Sequence, residues 1–118
     1  MIPADVRASI AAIVLAHATG KAVELVYDYQ EERHRTISAR FYGNVLAALD
    51  GERRAKLTGE LPDLFDHKTR NYIRLTADNG QYVGFDHHTD SHFRAEMRGE
   101  SVALFDHSDE SWSQFAIV

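Results

Sequence analysis

The sequence predicts a mainly β domain opened by one helix: an antiparallel up-and-down meander of about eight to ten short strands, closed into a barrel or strongly curved. Three observations predict it. Phe65-Asp66-His67, Phe85-Asp86-His87 and Phe105-Asp106-His107 recur every 20 residues, with Tyr27-Asp28-Tyr29 as an earlier relative. Each aspartate is followed after six residues by a ring (His34, Tyr72, His92, Trp112) and after nine by an apolar residue (Ile37, Leu75, Ala95, Phe115). From Ala22 onward the apolar period is two rather than helical. Fixed-interval self-similarity marks a repeated supersecondary unit, and a unit of roughly 20 residues is a hairpin. A two-sheet β-sandwich is the alternative architecture.

At 118 residues the chain is expected to be a single domain, 1–118, with its own core. Residues 3–19 read as an amphipathic helix. Val6, Ile10, Ile13, Val14 and His17 form one stripe, Pro3 suits a first turn and Gly20 follows the end. This helix is expected to cover an open end or a face of the meander. Asp5 precedes Arg7 and the apolar run is short, which argues against a secretory leader. Nothing approaches the roughly 18 apolar residues of a membrane helix, so no membrane partner and a cytoplasmic location are expected.

Residues 22–118 carry the meander. Val23, Leu25 and Tyr27 alternate with Glu24 and Asp28, the pattern of a half-buried strand. Setting each aspartate opposite the ring six residues later pairs His67 with Asn71, His87 with Ser91 and His107 with Ser111. The loops are then three residues long, a common hairpin length. In this register Tyr27, Phe65, Phe85 and Phe105 share the packed face with the apolar residues, and the aspartates share the wetter face with Thr36, Arg74, Arg94 and Gln114. Asp78-Asn79-Gly80 and Arg98-Gly99-Glu100 supply turns at the opposite strand ends. Residues 44–58 read as a degenerate fifth hairpin around Asp50-Gly51, with helix as the competing reading because alanine, arginine and lysine are frequent there.

The chain is acidic, with a formal net charge of −5, and contains no cysteine. The charge makes nucleic acid an unlikely partner, because phosphate binding needs clustered Lys and Arg. Arg53, Arg54 and Lys56, with Arg33, Arg35 and Arg40, are interspersed with Glu24, Asp28, Glu31, Glu32, Asp50 and Glu52, the mixture of a solvated strand face. Without cysteine there is no thiolate or disulfide chemistry. No nucleophile elbow, phosphate loop or dinucleotide fingerprint occurs, and no cofactor is predicted.

The candidate ligand-binding residues are the rings Tyr27, Phe65, Phe85 and Phe105 and the repeat histidines His67, His87 and His107. His88, Asp90 and His92 are the candidate metal ligands, since imidazole and carboxylate suit zinc, manganese or iron. Asp28, Asp66, Asp86 and Asp106 are expected to hold hairpin turns through backbone amides rather than to act as catalytic acids.

The expected function is non-enzymatic binding of a small, partly apolar ligand or of a protein or peptide partner. Alternatives are a structural or interaction protein working as a homo-oligomer, and a metal-dependent or hydrolytic enzyme using the His87–His92 cluster. The homo-oligomer expectation rests on the apolar final strand, Trp112 to Val118, which must be buried, covered or paired with a second chain.

Overall fold

The computed structural model describes residues 1–118. Helix α1, Ala4–Thr19, is followed by eleven strands: β1 Val26–Asp28, β2 Arg33–Arg35, β3 Ile37–Tyr42, β4 Val45–Asp50, β5 Ala55–Glu60, β6 Asp63–Asp66, β7 Asn71–Asp78, β8 Gln81–Asp86, β9 Ser91–Arg98, β10 Ser101–Asp106 and β11 Ser111–Ile117. All belong to one antiparallel sheet, ordered β2-β1-β11-β10-β9-β8-β7-β6-β5-β4-β3. The ends of that order, β2 and β3, are joined through the single residue Thr36, and Val23 bridges Ala39 just before β1. The result is an up-and-down barrel that is nearly closed.

Five hairpins point the same way, with tips after Asp28, Asp50, Asp66, Asp86 and Asp106. The residue after each aspartate donates its amide to a carbonyl of the neighbouring hairpin: Tyr29 to Gln114, Gly51 to Thr36, His67 to Lys56, His87 to Tyr72 and His107 to His92. These bonds run once around the barrel and return to the first hairpin. Residues 44–58 therefore lie in a fifth full copy, β4 and β5 paired from Asp50↔Ala55 to Val45↔Glu60, and not in a helix.

The loops contain four residues rather than three. Asp66 faces Asn71 and Phe65 faces Tyr72, with the same offset in the hairpins of Asp86 and Asp106. The last loop residue is left-handed in each copy: Glu32, Arg54, Arg70, Asp90 and Glu110 have φ between 53° and 58°. Side chains alternate along a strand, so a one-residue change of register exchanges the two faces. The aspartates consequently point inward with Leu64, Leu75, Phe93, Leu104 and Phe115, and Phe65, Phe85 and Phe105 point outward. This reverses the expected faces of the repeat rings and aspartates, while Ile37, Leu75, Ala95 and Phe115 lie inward and Thr36, Arg74 and Gln114 outward as expected.

The helix also departs from expectation. It does not lie over an end or a face, because Val6 to Ala16 are buried without interruption. A helix buried on all sides is surrounded by protein, and this one packs against β1, β3, β4, β9, β10 and β11. Sixteen residues span about 24 Å at 1.5 Å each, which fits within a body of 31 × 30 × 28 Å. The stripe of Val6, Ile10, Ile13 and Val14 is real, but Ala8, Ser9, Ala11, Ala12 and Ala16 on the remaining surface are equally buried. Small residues there let the wall approach the helix axis. Gly84 serves the same packing from the wall side, since a Cβ at that position would clash with Cζ of Phe93 and the carbonyl of Arg74.

The apolar strand β11 lies between β1 and β10, paired on both edges, with Phe115 in the core. Its edges are occupied within its own barrel, although Trp112 and Val118 remain exposed.

Candidate functional site

The two ends of the barrel differ in chemistry. At the hairpin-tip end, five buried aspartates form an inward crown around the first turns of α1. One carboxylate oxygen of each takes the amides of its own loop: Asp28 from Gln30 and Glu31, Asp50 from Glu52 and Arg53, Asp66 from Lys68 and Thr69, Asp86 from His88, and Asp106 from Ser108. The other oxygen faces the interior, where buried charge must be compensated. Arg35 Nε meets Asp28 at 2.7 Å, Arg53 spans Asp50 and Asp66 at 3.0 Å each, and Arg7 meets Asp106 at 2.8 Å. Ser9 of the helix donates to Asp50 at 2.7 Å and accepts from Arg53 at 3.0 Å. Asp86 is the exception, held by the Thr89 hydroxyl at 2.9 Å instead of a guanidinium. Burial pushes the Asp106 carboxyl upward. Bonds from the Ser108 hydroxyl and the amides of Ile2 and Ser108, with the charge of Arg7, outweigh this and hold it below the ordinary range. Saturated with partners, the crown is a structural joint between helix and wall.

Outside this end runs a belt of rings. Tyr27 meets Tyr29 and His34, Phe65 meets His67 and Tyr72, Phe85 meets His87 and His92, and Phe105 meets His107 and Trp112, all with centroids 4.5–5.1 Å apart. Arg94 lies over Phe105 and Trp112. The belt contains every candidate ligand-binding residue of the sequence, but in four separate clusters on the outer wall rather than around an interior cavity. Cross-strand rings of this kind pin hairpin register.

The candidate metal ligands share the Asp86 hairpin without gathering. His88 Nδ1 lies 3.2 Å from the Asn71 amide, and His92 stacks on Phe85. No group of three or more His, Asp or Glu side chains is close enough to hold a metal ion. Alternation and the four-residue loop disperse them.

The opposite end, where α1 stops, is open. A cleft of about 410 Å³ lies there, lined by Ala16, His17, Gly20, Lys21, Ala22, Arg40, Phe41 and Gly43. Its geometry follows from two turns. Gly20, left-handed at φ 69°, ends the helix and returns its amide to the Ala16 carbonyl. Gly43, at φ 63°, turns β3 into β4. Between them stands His17, whose Nδ1 is 2.8 Å from the Tyr82 hydroxyl and whose ring meets Phe41 edge-on at 5.1 Å. Burial pushes the Tyr82 phenol upward. The hydroxyl of Tyr42, 3.4 Å from Arg40 Nη1, and more distantly Glu24 push the Arg40 guanidinium further up, keeping it charged.

None of the mouth residues stands among the sequence-derived candidates. His17 reads there as one more member of an apolar stripe, and Gly20 and Gly43 carry the only local signal, two turn glycines flanking an aromatic strand. Comparison with protein-family models, curated proteins and solved structures finds no match to this chain.

Proposed function

We propose that this protein is a non-enzymatic binding domain that receives a small, partly apolar molecule at the open mouth of its barrel. The observation that carries the reading is the cleft of about 410 Å³ beside the end of α1, within the ordinary range of ligand sites, about 300–1,000 Å³. The helix fills the barrel interior, so a ligand has access only from the surface. At the mouth, the Phe41 ring and Ala16 and Ala22 give apolar contact beside the polar groups of His17, Lys21 and Arg40. At the other end the carboxylates of the aspartate crown are already engaged.

Titration of the isotope-labelled protein with neutral apolar fragments, followed by amide shifts, tests the reading. Shifts centred on Gly20, Lys21, Ala22, Phe41 and Gly43, lost in Phe41→Ala, are expected. Shifts that spread over the outer belt and spare these residues would overturn it.

A further inference from the structure

We infer that the molecule taken at the mouth is an organic carboxylate with a flat apolar body. The inference rests on the proposed function and narrows its ligand class.

Charge is the first ground. The chain carries a net −5, yet the eight residues lining the cleft include Lys21, Arg40 and His17 and not one carboxylate. This inverts the character of the molecule at one place. Arginine offers carboxylate a planar fork of two parallel donors, and lysine adds a mobile point charge. The end of α1 brings an opposing partial charge of about −0.5, and Glu24 lies near enough to influence Arg40. Two full cations exceed the helix term severalfold, so an anion remains favoured.

Shape is the second ground. The His17 ring stands between Phe41 and Tyr82, edge-on to both, with interplanar angles of 78° and 90°. With Nδ1 engaged by Tyr82, Nε2 is the ring's remaining polar atom, and His17 can use it for a further hydrogen bond. Phe41 adds an aromatic wall, and Gly20 and Gly43 have open space where a Cβ would stand. A bare inorganic anion would leave that wall unused. A neutral aromatic molecule would leave Lys21 and Arg40 without a countercharge. Tyr82 is a positioning residue here, acting through the histidine.

Calorimetric titration of the whole protein with benzoate, benzamide and benzylammonium, with amide shifts to locate binding, tests the inference. Benzoate is expected to bind at the mouth about ten-fold or more tighter than benzamide, and benzylammonium more weakly still. Arg40→Gln and Lys21→Gln should each weaken benzoate by about five- to twenty-fold and benzamide by less. Tyr82→Phe should weaken benzoate severalfold and benzamide less, whereas loss of a purely structural tyrosine would lower both alike. Equal affinity for the three probes at the mouth would overturn carboxylate selection and leave the binding reading standing. Benzoate shifts confined to the outer belt, or no benzoate binding at all, would overturn the inference, and the neutral-fragment titration then decides whether the binding reading falls with it.

Discussion

Arg53 and Asp66 form a buried ion pair at 3.0 Å that joins two successive hairpins, and the same guanidinium reaches Asp50 and Ser9. One arginine in a loop thus ties two of the five repeats to the central helix. The order of the barrel tip depends on such joints as much as on apolar packing.

This sets Asp66 and Asp86 apart although they occupy equivalent positions. Asp66→Asn weakens a charge-assisted bond to Arg53 and should cost about 2–3 kcal/mol. Asp86→Asn should cost less, about 0.5–1.5 kcal/mol. Its amide oxygen can still accept from His88, and the Thr89 hydroxyl can turn to Ser91, 2.9 Å away. Urea unfolding of the two variants measures the contrast, and equal losses would show that Arg53 contributes nothing specific.

The repeat made the hairpins legible because its interval survives in the copies at Asp28, Asp66, Asp86 and Asp106; the copy at Asp50 retains little beyond the aspartate and its turn. The faces were harder to read. The residue fixing the four-residue loop is left-handed in every copy, yet it is Glu, Arg or Asp and never glycine, so no turn signal marks it. Carboxylates are rarely buried unless paired, and the pairing cations are scattered: Arg7 in the helix, Arg35 on β2, Arg53 in a loop. Read along the sequence, Arg35 and Arg53 belong to a solvated mixture of charges. The inward register brings Arg35 to Asp28 across its own hairpin, and Arg53 to Asp50 in its own loop and to Asp66 in the next hairpin.

Gly84→Ala should be among the most damaging small substitutions in the wall. The new methyl group meets both the Phe93 ring and the Arg74 carbonyl, and overpacking of this kind costs about 1–3 kcal/mol or more. Adding Phe93→Leu should restore part of the loss, because the backbone clash persists. Thermal unfolding of the single and double variants checks the order. A single variant as stable as the parent would mean that the wall can shift at β8.

Ala12→Leu probes the central position of the helix. Ala12 lies opposite the apolar stripe and is fully buried, whereas a helix lying on a face would expose that side. Overpacking should cost about 1–3 kcal/mol. Circular dichroism with urea as denaturant measures it. An unchanged midpoint would mean that the wall does not enclose this side of the helix.

The Arg7–Asp106 joint gives the tip its acid response. The Asp106 carboxyl is held below its ordinary value in the folded protein. Its contribution to stability is therefore complete above the unfolded-chain value of about 3.9 and is lost as pH falls through the lower folded value. The urea midpoint of the parent should drop between about pH 5 and pH 2.5, steeply below pH 4. Asp106→Asn should be less stable at pH 6, because Arg7, with its side chain 10% exposed, keeps only the more exposed Asp109 at 3.1 Å as a countercharge. The same variant should show a shallower fall over the acid range, because the titrating group is gone. Parallel pH profiles for parent and variant would remove Asp106 as a source of the acid response and shift attention to Asp109, which Ser111 and Arg7 also hold below its ordinary value.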